Sequence, residues 1–514
     1  MQTQEAIKKF LLKKKSVTKL EIFLFLTEHQ FFITTRYLAD HFAMSESNLI
    51  LYIQELEQDF LSLNLAELSI INQKKFLKLE IDQADIAKCY YQLFGKYCLE
   101  STNFQIITAL LEHNANSIVS ISQQTNYSAS YLYTKMKSIN QFLALYGISF
   151  KFSSRGKKVI TGTELQIQYC FLDVYWTIFA NTTLPYGEEE KMTIDFTLNT
   201  YFKKDLLESM NGGMTDKLYL ILKICHYNFP MTSLENVQKE LSQFQYIHRL
   251  VDPDVDILNS QLPLCYEQRI LINVLARLTI SQLDSNERSI QHYQELLKAS
   301  FPYLLYSKKL VEEFSHYFQL DIPKKQKILY SLSFAIIQLH NTFLDSEQPN
   351  TPLPTVMFYQ EQENYLKLEN AIARFYQEFK SQYWDYLPNF LEKENTQWII
   401  EELFHLYDSF KKQPTIVIGI NYTKDFYISK DLMNKIQQIF STESIVIQRY
   451  YMEECHIVIS DSPLDHLPSH IKKIYLLKGV IQPNDWKKII TQLALCIFEI
   501  KQTNDYLDIF VPTE

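Results

Sequence analysis

Glycine is scarce in this chain, at 9 of 514 positions, where an average protein carries about 7%. Phosphate-cradling loops need clustered glycines so that backbone N–H groups can approach the ligand, and neither G-x-G-x-x-G nor G-x-x-x-x-G-K-[ST] occurs. G-x-S-x-G and H-E-x-x-H are missing too, which leaves an enzyme without support. The seven cysteines contain no C-x-x-C, against a disulfide framework or a thiolate zinc site. No run approaches the ~18 consecutive apolar residues of a membrane span. The opening MQTQEAIKKFLLKKKSV, broken by lysines, does not read as a signal peptide. The expectation is a cytoplasmic protein with no membrane, no metal and no cofactor. Asp465, His466 and His470 look metal-like, but Pro468 interrupts their spacing and a surface loop is the better reading.

What is present is a large apolar stock, 46% against 21% charged, enough at this length for three to four domains of roughly 150 residues. Charge is uneven. Residues 1–165 hold 18 Lys and Arg against 15 Asp and Glu, and the remainder 32 against 44. A head less acidic than its body fits a part that faces a polyanion.

The head contains a repeat. In TTRYLADHFAMSESNLILYIQELEQDF (34–60), Leu38 and Ala39 open an apolar stripe, Met44 turns, Ser45 caps, and Leu49, Ile53 and Leu56 mark one face of a second helix. A shift of 83 residues returns the pattern as Ile121, Ser122, Tyr127, Ser128, Leu132, Met136 and Ile139, and moves Lys74-Lys75 onto Lys157-Lys158. Each lysine pair sits in a hairpin-like stretch, INQKKFLKL and FKFSSRGKKVI. Helix-turn-helix plus basic hairpin, twice in register, predicts tandem winged helices over 1–84 and 85–165.

The copies differ in chemistry. The first recognition-position helix, Ser45–Phe60, carries Glu46, Glu55, Glu57 and Asp59 and no base, a poor solo reader of phosphate. Its candidate contacts are Ser47 and Asn48, with Lys74 and Lys75 on the wing. The second, Ser128–Tyr146, has Lys135 and Lys137 and no acid. Its outer face runs Ser130, Thr134, Lys137, Ser138 and Gln141, side chains able to bond base edges or phosphates. Lys151, Arg155, Lys157 and Lys158 add a basic wing, so the second copy is the expected main reader. The N-terminal lysines at 8, 9, 13, 14, 15 and 19 read as a solvated helix face.

From about 165 to 410 the chain reads as amphipathic helices. KLYLILKICHYNF (217–229) overlays SLSFAIIQLHNTF (331–343), superposing His226 on His340 and suggesting helical modules 166–287 and 288–410. Both histidines read as packing residues. After 411 the period changes. TIVIGI, SIVIQRY, CHIVIS and KIYLLK are short strands alternating with helices, a small parallel sheet over 411–514 with a core thiol at Cys455.

The fold class is therefore mainly α and multidomain, with a small α/β end. This order of parts, with TTRYLADHFAMSESNLILYIQEL, SYLYTKMKSINQFL and FKFSSRGKKVITG, resembles the Mga/AtxA/RofA group of Gram-positive virulence regulators. The resemblance implies a DNA-binding transcriptional regulator, usually an activator, dimeric, acting on promoter double-stranded DNA and RNA polymerase. It further implies helical modules like phosphotransferase-system regulation domains (PRDs), phosphorylated on histidine, and a tail like a sugar-phosphotransferase EIIB subunit. The family's regulatory histidines fall near Asp216 and Glu402, both acidic here, with His226, His340 and His405 as neighbours. No cysteine follows the first tail strand, so the tail reads as a scaffold. Two other classes stay open: an RNA-binding antiterminator with PRDs, and a scaffold whose winged helices dock protein.

Overall fold

A computed structural model describes residues 2–29, 31–63, 65, 68–73, 75–82, 85–111, 117–153, 158–180, 188–227, 229–230, 232–242, 245–253, 255–280, 283–344, 363–383, 396–411, 415–422, 426–440, 445–449, 455–464, 470–477 and 483–504. The fold is mainly helical, with a small parallel sheet near the C-terminus. It divides into two compact units: 1–309, 325–352 and 383–399 form the first, and 310–324, 353–382 and 400–514 the second.

The first unit opens with α1 (Gln2–Leu11), α2 (Lys14–Glu28), β1 (Ile33–Thr34), α3 (Thr35–His41), α4 (Glu46–Ser62) and the hairpin β2 (Ser69–Gln73) and β3 (Phe76–Glu80). The pattern repeats in α5 (Ile86–Leu99), α6 (Thr102–Leu111), α7 (Ile118–Thr125), α8 (Ala129–Leu143), a 3-10 turn (Ala144–Tyr146) and the hairpin β4 (Ser149–Phe152) and β5 (Lys158–Thr161). Helices α9 (Glu164–Phe179), α10 (Glu188–Tyr201), α11 (Lys204–Glu208), α12 (Gly212–Tyr227) and α13 (Leu234–Ser242) follow, then a 3-10 segment (Gln245–Val251), α14 (Tyr266–Thr279) and α15 (Asn286–Lys298). Helix α16 (Pro302–Tyr317) passes from the first unit to the second at Leu310, and α17 (Lys324–Leu344), α18 (Glu363–Tyr383) and α19 (Thr396–Phe410) complete the helical part. Among the described residues no helix is long and apolar enough to cross a membrane.

Local chemistry explains where the repeat's helices start. Thr34, Ser45, Ser117 and Ser128 are extended residues whose side chains accept from the backbone N–H three positions on, at Tyr37, Asn48, Ser120 and Tyr131. Each such cap is worth about 1 kcal/mol. The apolar stripes bury as their spacing requires: Leu38, Leu49 and Leu56 in one copy and Leu132 and Ile139 in the other are wholly inaccessible.

In the second unit β6 (Ile416–Asn421), β7 (Ile445–Arg449), β8 (Ile457–Ser460) and β9 (Lys473–Leu476) form an all-parallel sheet in the order β7-β6-β8-β9. Alternation puts Ile416, Ile418, Ile420, Ile457 and Ile459 into one core with Leu432 and Ile436 of α20 (Phe426–Ile439) and Leu493 and Ile497 of α21 (Pro483–Asn504). Cys455 is buried just ahead of β8. The helical side of this unit holds an aromatic cluster, with Phe314 tilted against Phe318 (4.7 Å) and edge to face with Phe375 (5.3 Å), and Phe318 near Tyr407 (5.5 Å).

Candidate nucleic-acid interface

The two helix-turn-helix copies match more closely than apolar spacing alone demands. The turn between α3 and α4 passes through Ala43 with φ 49°, and that between α7 and α8 through Asn126 with φ 56°. These positions are related by the same 83-residue shift as the caps. Both turns need a left-handed residue, which asparagine tolerates better than alanine. In the second copy Ser122 Oγ also donates to the Tyr127 carbonyl at 2.5 Å, closing the turn from inside.

Each helix-turn-helix is fastened to its wing. In the first copy, β3 pairs with β2 and with β1. The Lys75 carbonyl, in a hairpin turn at φ 77°, accepts from the Thr35 N–H at 2.8 Å, tying the wing tip to the start of α3. In the second copy the fastener is Asn140 of α8: its amide nitrogen donates to the Phe150 carbonyl at 2.9 Å, and its oxygen accepts from the Phe150 N–H at 2.8 Å. Ser149 and Thr161 bond across the hairpin at 2.6 Å. Gly162, which closes it, has φ +122°, and a Cβ there would lie 2.5 Å from Ile148 Cγ2.

Of the expected contacts, Ser130, Thr134, Lys137, Ser138, Gln141 and Lys151 are exposed along α8 and β4. Thr134 donates its hydroxyl to the Ser130 carbonyl (3.1 Å) and Ser138 to that of Lys135 (2.9 Å), which leaves oxygen lone pairs facing outward. Lys135 is half-buried, its ammonium 5.7 Å from the Tyr131 ring centroid. Ser47, Asn48 and Lys75 are exposed on the first copy. Lys74, Arg155 and Lys157 lie outside the described residues, as does the side chain of Lys158, whose backbone pairs with Phe152. Sequence reasoning passed over Tyr133, exposed beside Phe152 with ring centroids 5.8 Å apart, although its place between Leu132 and Thr134 marks it as outward. It also passed over Asn140, whose amide gave no signal until the wing was in place.

The acidity of α4 needs correcting. Three of its four carboxylates are committed internally. Glu46 accepts from Thr35 Oγ1 (2.8 Å), Glu55 pairs with Lys15 (2.5 Å), and Asp59 is buried under Lys19 (2.5 Å), Lys96 (2.7 Å) and the Tyr97 hydroxyl (2.5 Å). Burial alone would raise the Asp59 carboxyl, but the hydrogen bonds from Lys19, Lys96 and Tyr97 outweigh it and hold the group below the ordinary carboxylate range. Of the six N-terminal lysines expected on a solvated face, Lys9, Lys13, Lys14 and Lys15 are exposed, Lys8 is half-buried, and Lys19 is buried. Lys15 and Lys19 are structural partners of α4, and Lys8 lies 5.6 Å from the Phe94 ring.

The regulatory candidates are dispersed. Asp216 stands in the first half of α12 and His226 near its end, its ring 5.9 Å from that of Tyr201. His340, on α17, bonds the Tyr169 hydroxyl through Nε2 at 3.3 Å and meets Trp398 edge to face at 5.0 Å. Burial among these rings pushes it down to about 4. Glu402 and His405 lie on α19 in the second unit, both half-buried. At the sheet's C-terminal edge Asn421 donates to Ser460 Oγ at 3.1 Å. Among the described residues no group of three His, Cys, Asp or Glu is placed to hold a metal; His470 is exposed, and Asp465, His466 and Pro468 lie outside the described residues.

Residues 96–175, which hold α7, α8 and the second wing, match the family model described as the Mga helix-turn-helix domain. The capsule synthesis positive regulator AcpA of Bacillus anthracis is 21% identical over 300 residues, covering 56% of this chain. The match spans 60% of that relative's length. Both findings support the resemblance to the Mga/AtxA group.

Proposed function

We propose, on the premise that residues 96–175 are an Mga-family helix-turn-helix domain, that this protein is a DNA-binding transcriptional regulator whose second winged helix reads promoter DNA. The observation that carries the reading is the outer face of α8: Ser130, Thr134, Lys137 and Gln141 stand exposed on a helix without acids, beside a wing strand carrying Lys151. Hydroxyl, amide and ammonium groups in that row suit base edges and phosphates of a major groove. The relative's printed role, positive regulation of capsule synthesis, favours an activator.

The remaining parts follow the family resemblance. Residues 1–84 and 85–165 are the two winged helices, 166–287 and 288–410 PRD-like modules, and 411–514 an EIIB-like domain for dimerisation. A dimer places two readers on two half-sites, which supplies affinity that one weakly basic module lacks. Asp216 and Glu402 act as fixed negative charge where relatives carry regulatory histidines, so phosphotransferase control is weak or lost. A second reading applies to the first winged helix alone. Phe31, Phe32 and Phe76 are 66%, 44% and 46% exposed around its wing, which favours protein contact there, with RNA polymerase as the partner for an activator.

The test is a salt titration of binding to duplex DNA from upstream of the gene, against an unrelated duplex. Specific, steeply salt-dependent binding is expected. Lys157→Ala with Lys158→Ala should weaken binding to both duplexes and flatten the salt slope. Thr134→Ala or Gln141→Ala should change sequence preference. Unchanged binding under all four substitutions would remove the second winged helix as reader.

A further inference from the structure

The two recognition-position helices correspond residue for residue under the 83-residue shift. Ser45 and Ser128 cap them, and their inward rows coincide: Leu49 with Leu132, Ile53 with Met136, Leu56 with Ile139 and Phe60 with Leu143, all buried. Matching inward rows fix matching outward rows, because the phase of a helix is set by its buried side. The outward row of α8, Ser130, Thr134, Lys137 and Gln141, therefore has its counterpart on α4 in Ser47, Leu51, Gln54 and Gln58. All four are exposed, Leu51 at 49%.

No charge stands in that row. Glu46, Glu55 and Asp59 are held by Thr35, by Lys15, and by Lys19 with Lys96 and Tyr97. The fourth carboxylate, Glu57, is half-buried at the position that Asn140 takes in α8, round the helix from the row. The Ser47 hydroxyl and the Gln54 and Gln58 amides make no hydrogen bond among the described residues, so their donors and acceptors are free.

The chemistry of the row is that of an adenine–thymine reader. A glutamine amide sets a donor beside an acceptor, the pair that matches N7 and N6 of adenine in the major groove. Leucine offers methyl groups to the thymine C5-methyl and no polar group to guanine or cytosine. Guanine is matched by a cation with two donors, and where α8 has Lys137, α4 has Gln54. A row without cations neutralises no phosphate, so it adds discrimination and little salt-dependent affinity. Such a helix reads only when a basic neighbour holds the chain on the duplex, and α8 with its wing is that neighbour within the same unit.

We infer that α4 is a second base-reading helix, selective for A·T pairs through Gln54 and Gln58 on adenine and Leu51 on a thymine methyl. The inference rests on the DNA-binding reading above and extends it from one helix to two. It uses the outer face of α4 and leaves the aromatic wing of Phe31, Phe32 and Phe76 to protein contact.

The test is selection of duplexes from a random pool by the full chain, repeated with variants. The natural chain should recover two blocks of preferred bases. Gln54→Ala with Gln58→Ala should erase the A·T-rich block and lower affinity for the selected duplex about 10-fold or more, with the salt slope unchanged. Thr134→Ala with Gln141→Ala should alter the other block alone. Gln54→Arg adds a readout that lost stability cannot imitate: the base it meets should change from adenine to guanine. Uracil in place of thymine in the A·T block should weaken the natural chain about 4-fold per contacted methyl and leave the Leu51→Ala chain unaffected. A consensus untouched by the Gln54 and Gln58 substitutions, or an erased block richer in G·C, overturns α4 as an A·T reader. If Thr134 and Gln141 still govern their block in that case, the DNA reading of α8 stands and the α4 row is left to a protein partner. Recovery of no consensus by the natural chain removes the DNA reading and this inference together.

Discussion

The Asn140 side chain meets the backbone of Phe150 on both sides, donating to its carbonyl at 2.9 Å and accepting from its N–H at 2.8 Å. A side-chain amide thereby takes the place of a third strand against β4, and the second wing is held by the helix it flanks. In the first copy the third strand is β1, which pairs with β3 on the hairpin's other edge.

Asn140→Ala removes both bonds and leaves half-buried peptide groups unpaired, so the second winged helix should lose about 2–3 kcal/mol. Asn140→Asp keeps the acceptor, loses the donor and sets a carboxylate against the Phe150 carbonyl, so it should be no better. Hydrogen exchange at the Phe150 amide should accelerate in both variants. Equal protection in the natural and Asn140→Ala chains would show that the wing is held by other contacts.

The turn residues predict effects of opposite sign. Ala43 is held at φ 49° without the tolerance of asparagine or glycine, so Ala43→Gly should stabilise the first copy by about 0.5–1 kcal/mol. Asn126→Gly, at the matching position, should change stability by less than about 0.5 kcal/mol. Gly162→Ala places a Cβ 2.5 Å from Ile148 at a φ that L residues avoid, and should cost about 3 kcal/mol. Thermal melts of the three variants check the ordering.

Much of this architecture was legible in the sequence, because its signals are local. Serine caps, an 83-residue repeat of apolar positions and a change of period near residue 411 each depend on neighbours within a helix turn or a strand. The four parallel strands appeared where short β-branched runs stood, since a buried strand needs little more than that. What stayed hidden depends on residues far apart in the chain. Nothing near Asp59 announces that Lys19 and Lys96 will close over it, so four carboxylates on one helix read as repulsive charge when three of them are internal partners. Asn140 is likewise defined by what folds against it. The expected reader side chains could be placed outward from helical phase alone, but Lys135 is drawn back onto Tyr131 by an aromatic face that phase does not reveal.

Asp59 sets an acid limit on the first winged helix. Its pKa is lowered in the fold, so the stability it contributes is present above the unfolded carboxyl value near ~3.9 and is lost as pH falls through the lowered folded value. Asp59→Asn leaves the buried Lys19 with only the more distant Glu55, at 3.9 Å, as counter-charge and should cost about 3 kcal/mol at pH 7. In urea denaturation the gap between the natural chain and the variant should narrow as pH drops below ~3.9. A gap constant from pH 7 to pH 3 would mean that Asp59 is not carrying a charge.

His340 acts at milder pH and for a different reason. A neutral imidazole packed between Tyr169 and Trp398, with its pKa pushed down to about 4, resists a proton that the unfolded chain accepts near ~6.5. The unfolded state therefore binds more protons between those values, and stability falls as pH drops through ~6.5, levelling off below about 4. Between pH 7 and pH 5 the loss should approach about 2 kcal/mol, reduced to the extent that water reaches the ring. His340→Gln keeps a hydrogen-bonding group for the Tyr169 hydroxyl and cannot titrate, so over that interval it should lose about 2 kcal/mol less than the natural chain, the remaining slope coming from groups such as His292, whose pKa burial also pushes down. Chemical denaturation at pH 7, 6 and 5 separates the two chains. Parallel curves for the natural chain and the variant would assign the acid sensitivity to another group and leave His340 as a packing residue with an ordinary proton affinity.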